Sequence, residues 1–201
     1  DIDFMGHQID SDKENVRKVF AEICAISYEQ DGVIFYVDTL RTDDIAVEKK
    51  YPGVRLTLTA SIDTIRQDIS MDIGFGDVIT PRPLELDYPN LLDGFPDTNI
   101  MAYSLETVVA EKFQTMISRA EVNSRMKDFY DLYTILQGGK CDTEILDEAI
   151  KATFKNRQTD YQGNHVAFSS EFAENPELNI RWNAFMKKLM VSTQLTFFEV
   201  M

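Results

Sequence analysis

Two runs of strict alternation limit what this chain can fold into. In "GVRLTLTASI" (53–62), Arg55, Thr57 and Thr59 alternate with Leu56, Leu58 and Ala60. In "RQDISMDIGFGD" (66–77), Asp68, Ser70 and Asp72 alternate with Ile69, Met71 and Ile73. Successive side chains of a strand point to opposite faces, so each run has one apolar and one polar face. "GVIFYVDTLR" (32–41) is rich in the β-branched and aromatic residues that suit strands. The pattern predicts three strands, antiparallel neighbours in a mixed sheet, with Pro52-Gly53 as a turn signal between the first two.

The period changes on both sides of these strands. In "SDKENVRKVFAEICAI" (11–26), Val16, Val19, Phe20, Ile23 and Ile26 recur at helical spacing, and Ser11 and Glu14 are spaced as a capping box. A first helix is expected from about Asp12 to about Ile26. The proline-rich "TPRPLELDYPNLLDGFPDTN" reads as an extended connector, with one short strand around Leu84–Leu86. Beyond it, "SLETVVAEKFQTMISRA", "SRMKDFYDLYTILQ", "DTEILDEAIKATFKN" and "PELNIRWNAFMKKLM" read as helices. Ser104 and Asp142 are the expected caps of the first and third, Gly138-Gly139 ends the second, and "RQTDYQGNHVAFSSEF" is a polar loop. The order is helix, sheet, helical bundle, an α+β arrangement. The expected division is a small mixed-sheet core over residues 1–100 and a helical domain over 101–201 that completes a cleft.

The formal charge of −14 argues against nonspecific DNA binding, because phosphate affinity comes largely from Lys and Arg. It still permits an acidic site that reaches phosphates through a divalent metal. Cys24 and Cys141, far apart in helical patterns, read as thiols in a reducing cytoplasm. No apolar run has membrane-spanning length. His7 and His165 lack ligand-spaced partners and read as surface residues. Trp182, with Ile180, Phe185 and Leu189, reads as packing in the last helix.

Three stretches concentrate acids and one lysine. "DIDF" puts Asp1 and Asp3 on one face of a strand, and Asp72 is a lone acid within an apolar strand. "AEKF" and "RMKDFYDL" supply Glu111, Lys112, Arg125, Lys127, Asp128 and Asp131. Strand carboxylates at this spacing suit Mg²⁺, which takes oxygen ligands and shares substrate phosphates. Asp128 and Asp131 lie on one helical face, with Phe129, Leu132 and Tyr133 on the packed side. Taken singly, each group has a bland alternative: a solvated terminus, a solvent-facing acid, or an Arg125–Asp128 helix ion pair.

Together, and in this order, "DIDF", "MDIGFGD", "YSLETVVAEKFQTMISR" and "NSRMKDFYDLY" resemble the AbiEii/AbiGii-type nucleotidyltransferase toxins. These are distant relatives of the polymerase-β-like nucleotidyltransferases. The resemblance covers nearly the whole chain, including "PRPLELDYPNLL" and the closing "VAFSSEF" and "RWNAFMKKL". It implies that Asp1, Asp3 and Asp72 hold Mg²⁺, that Lys112 contacts nucleotide phosphates, and that Asp128, the catalytic carboxylate of the R-x-K-D element with Asp131 close by, either orients Lys112 or acts as a base. Arg125 and Lys127 are implied as phosphate or acceptor contacts. The implied activity is transfer of an NMP from an NTP to an acceptor hydroxyl, on RNA or tRNA. The implied setting is cytoplasmic, in a toxin–antitoxin or phage-defence (abortive infection) system with a cognate antitoxin. The family's Gly-Ser turn, which precedes the acidic pair, has no counterpart in a sequence starting at Asp1, so a truncated chain with an incomplete site is expected. The competing expectation is a non-catalytic module of the same fold that binds a nucleotide or partner protein. A kinase-like phosphotransferase is weaker still, since no Gly-rich loop or H-R-D element is present.

Overall fold

The computed structural model describes residues 2–28, 30–45, 53–160, 163–189 and 195–201. Asp1 and Pro52 lie outside the described residues. The chain divides into two compact units, Asp1–Asp77 and Val78–Met201.

The first unit is a four-stranded sheet with one helix. Its strands are β1 (Ile2–Gly6), β2 (Val33–Asp44), β3 (Gly53–Ile62) and β4 (Ile65–Phe75), in the order β1-β4-β3-β2. β2–β3 and β3–β4 are antiparallel, as expected for the three predicted strands, and β1 runs parallel to β4, which makes the sheet mixed. β3 and β4 meet at a two-residue turn in which Asp63 takes a left-handed φ of 50°, and Ile62 pairs with Ile65. Helix α1 (Lys13–Cys24) covers the apolar face. There Val16 packs with Val54, Leu56, Leu58, Met71, Ile73 and Phe75. Each such fully buried aliphatic side chain contributes about 1.5–3 kcal/mol. The cap of α1 is Asp12 and not the expected Ser11: its carboxylate accepts from the backbone N–H groups of Glu14 and Asn15. Gly6 is opposite Phe75, and a Cβ on it would come within 2.2 Å of the Phe75 ring. Only glycine lets β1 pass this close, which helps fix its register on β4.

The second unit contains the hairpin β5 (Leu84–Tyr88) and β6 (Thr98–Ala102), then α2 (Leu105–Arg119), α3 (Met126–Gln137), α4 (Thr143–Asn156), α5 (Ser170–Glu174), α6 (Pro176–Leu189) and α7 (Phe197–Val200). The short strand expected near Leu84 therefore has a partner the sequence pattern did not suggest. Ser104 caps α2, Asp142 caps α4 and Gly138 caps α3, as expected. The loop after α4 also holds a short 3-10 turn and α5. The core gathers Phe129, Phe172, Leu178, Trp182 and Phe197. Trp182 is fully buried and donates its indole N–H to the Leu195 carbonyl at 2.7 Å. Ile180 is 69% exposed, so it does not belong to that packing. Cys24 and Cys141 are free thiols. His165 caps the 3-10 turn, its Nδ1 accepting from the Ala167 N–H. Among the described residues, no helix is long and apolar enough to cross a membrane.

Candidate functional site

The sheet face opposite α1 is polar. Arg55, Thr57 and Thr59 of β3 share it with Asp68, Ser70 and Asp72 of β4. Asp3 of β1 is paired in register with Asp72 and so stands on the same face. Adjacent strands lie about 4.8 Å apart, so two carboxylates in register repel unless a cation or proton intervenes. A cation, Arg55, stands directly opposite Asp72 on β3, on the side away from Asp3. Its Nε and Nη2 donate to the two oxygens of Asp72, each at 2.7 Å. The hydrogen bond from Arg55 holds the Asp72 pKa below the usual carboxylate range, against the opposing effect of burial. The Arg55 pKa is raised by its hydrogen bond to Asp72, by the charge of Asp72 and, more weakly, by that of Asp3.

Asp3 and Asp72 offer hard oxygen donors on one face, the chemistry Mg²⁺ requires. Asp3 is exposed, whereas each oxygen of Asp72 already accepts from Arg55, which an ion there would have to compete with. Among the described residues, no cluster of three or more His, Cys, Asp or Glu is assembled for a metal. The remaining expected ligand, Asp1, is outside them.

The helical unit holds the second group. Its position begins at the cap of α2, where the hydroxyls of Ser104 and Thr107 both donate to the Thr80 carbonyl, at 2.6 and 3.0 Å. Two turns on, Lys112 reaches α3. Its Nζ lies 2.8 Å from Asp128 Oδ1 and 2.8 Å from Asp131 Oδ2. Asp128 is buried, and its other oxygen faces Arg125 Nε at 2.9 Å. Lys127 Nζ approaches Asp131 Oδ2 at 2.6 Å from one turn earlier on α3. Burial opposes the charge on Lys112, but the bonds to Asp128 and Asp131 outweigh it and raise its pKa. Burial likewise pushes Asp131 up, and Lys112 and Lys127 more than reverse that. Two cations and two acids thus converge on one side of α3, and Lys127 joins from its exposed edge. Phe129 and Leu132 are buried on the packed side, as the helical spacing requires.

Two residues with a part in these groups were not singled out from the sequence. Arg55 is one; counting back from a two-residue turn at Asp63-Thr64 would have placed it opposite Asp72. The other is Asn123, fully buried before α3. Its Oδ1 accepts from the Arg125 N–H at 2.9 Å, and its carbonyl accepts from Arg181 Nη1 at 3.2 Å. Asn123 thereby fixes the backbone that delivers Arg125 to Asp128.

Comparison with known proteins agrees with the sequence motifs. The family described as "Nucleotidyl transferase AbiEii toxin, Type IV TA system" matches residues 1–201. No curated protein matches the chain at a significant level. Among solved structures, the chain is similar to JHP933 from Helicobacter pylori, with 14% identity over 93% of this chain and 75% of that one, at a TM-score of 0.41. It is also similar to an H. pylori protein provisionally described as a nucleotidyltransferase, with 12% identity over 96% of this chain and 80% of that one, at a TM-score of 0.31. The match over the whole sequence decides the matter: the chain belongs to the AbiEii nucleotidyltransferase toxin family of type IV toxin–antitoxin systems.

Proposed function

We propose that this chain is a Mg²⁺-dependent nucleotidyltransferase that transfers an NMP from an NTP to an acceptor hydroxyl, with RNA or tRNA as the acceptor. It acts in the cytoplasm as the toxin of a toxin–antitoxin pair, used in abortive infection against phage. The observation that carries the metal-dependent reading is the shared register of Asp3 and Asp72 on one sheet face. Asp3 and Asp72, with Asp1 by family resemblance, are the residues that would hold Mg²⁺. The chemistry Mg²⁺ supplies when bound is activation of the attacking hydroxyl and neutralisation of charge on the leaving pyrophosphate.

The chain's own residues divide the remaining work. Lys112 supplies a point charge for the triphosphate. The 2.8 Å contact between Lys112 and buried Asp128 supports a role for Asp128 in orienting that lysine. Arg125 balances Asp128 from the other side, leaving part of the Lys112 charge available to a phosphate. Arg125 and Lys127 are exposed enough to meet a phosphate or acceptor strand, with side-chain exposures of 60% and 73%. Most of the rate enhancement would come from positioning and fixed charge.

The test is incubation with labelled NTPs, Mg²⁺ and total RNA. Label entering RNA, and its loss in Asp3→Ala and Lys112→Ala, is the expected result. A folded sample that incorporates no NTP and binds no nucleotide would sink the enzyme reading. One observation favours a second reading, a non-catalytic module that binds a nucleotide or a partner protein such as the antitoxin: both oxygens of Asp72 are already engaged by Arg55. In a growth assay, equal toxicity of wild type and the Asp3→Ala/Lys112→Ala double variant favours that module.

A further inference from the structure

Across the sheet, one row of paired positions reads Asp3, Asp72, Arg55, Asp43, from β1 through β4 and β3 to β2. Three acids and one arginine therefore share a single row on the polar face. Arg55 does not stand midway. Its guanidinium fork is spent on Asp72, both donors at 2.7 Å. A planar fork on a carboxylate is the most directional ion pair proteins make. Half of the Arg55 side chain is nevertheless exposed, at 51%, so the pair is not sealed in the core. An accessible pair can be exchanged for another cation at modest cost.

From this geometry we infer that Arg55 is an internal counter-cation, a latch that occupies Asp72 until a divalent ion takes its place. Arg55 is a positioning residue. It neutralises Asp72 from the side away from Asp3 and keeps the Asp72 carboxylate turned toward β3. An ion at Asp72 competes with the fork for the same two oxygens and meets the charge of Arg55 beside them, so Arg55 raises the threshold for ion binding. The inference rests on the metal-binding reading of Asp3 and Asp72, and its test separates the two.

Mn²⁺ serves as the probe, its free concentration followed by electron paramagnetic resonance, so no turnover is needed. Far-UV circular dichroism checks the fold of each variant. Arg55→Gln is expected to bind Mn²⁺ about fivefold more tightly than wild type, since a competing charge at bonding distance has been removed. Arg55→Lys, which keeps the charge but loses the fork, is expected to fall between them. Adding Asp72→Asn to Arg55→Gln is expected to cancel the gain, because the oxygens set free belong to Asp72. If Arg55→Gln and Arg55→Lys bind like wild type or more weakly while Asp3→Asn still weakens binding, the ion site stands and the latch is overturned. If no folded variant binds Mn²⁺, the metal reading and the latch fall together.

Discussion

The two units each set an acid against a base, on opposite terms. On the sheet, Asp72 and Arg55 keep 30% and 51% of their side-chain surface exposed. Between the helices, Asp128 keeps 7% and Lys112 keeps 21%. An exposed pair adds little to stability, because water and salt replace either partner readily. A buried pair is also a poor source of net stability, but breaking it strands a charge in low dielectric. The helical group therefore behaves as a frame and the sheet group as an exchangeable contact.

The largest test of that contrast is Asp128→Ala. It leaves Lys112 and Arg125 without their shared acid, and is expected to cost about 2–3 kcal/mol in urea unfolding. Asp72→Asn on the sheet is expected to shift the melting midpoint by no more than about 2 °C. Equal effects would erase the distinction. Trp182, the sole tryptophan, sits in the helical core, so its fluorescence reports the unit in which Asp128 lies.

Next comes Lys112→Met, expected to cost about 1–2 kcal/mol, less than Asp128→Ala because Arg125 still pairs with Asp128. This variant is also expected to abolish NMP transfer while staying folded. Loss of label incorporation with an intact fluorescence transition checks both halves.

A smaller effect follows from pH. The folded-state pKa of Asp131 is depressed, so its contribution is present above the unfolded value, near 4, and is lost as pH falls through the folded value. Lys112 has the opposite sign: its pKa is raised, so its contribution is present below about 10.4 and is lost as pH climbs through the folded value. Asp131→Asn should therefore lose less stability than wild type between pH 5 and pH 2, while the pH dependences of the two coincide from pH 6 to pH 8, where neither Asp131 nor Lys112 titrates. Identical acid profiles would show that Asp131 is not held by Lys112 in solution.

The legible parts of this molecule were those set by local rules. Alternation over 53–62 and 66–77 identified β3 and β4, and Ser104 and Asp142 marked two helix starts by their own side-chain chemistry. What escaped was set by distant partners or by competition between neighbours. Asp12 displaces Ser11 as cap because its carboxylate reaches two backbone N–H groups at once. β6 is short and mostly exposed, so no apolar face advertises it. The register of Asp3 on Asp72 joins residues far apart in sequence through a parallel pairing that no local pattern announces. The Arg55–Asp72 pair was within reach, since a two-residue turn fixes every pair beyond it, but Asp63-Thr64 lacks the glycine that usually marks such turns. α7 was also within reach, because Thr196 and Glu199 form a capping box.

The smallest expected effect belongs to Lys127. Its contact with Asp131 is short at 2.6 Å, yet 73% of its side chain is exposed and the pair spans one helical turn. Such pairs stabilise by a few tenths of a kcal/mol, so Lys127→Ala should change unfolding free energy by less than about 0.5 kcal/mol. Asp131 keeps Lys112 as its partner, which limits the loss further. Lys127 thus marks the outer limit of the frame, where the buried group grades into an exposed one. If Lys127 serves an RNA acceptor instead, its removal will flatten the salt dependence of RNA binding by about one phosphate's worth of charge while leaving stability unchanged. A loss of more than about 1 kcal/mol would place Lys127 inside the frame and move the boundary between fixed and exchangeable charge outward along α3.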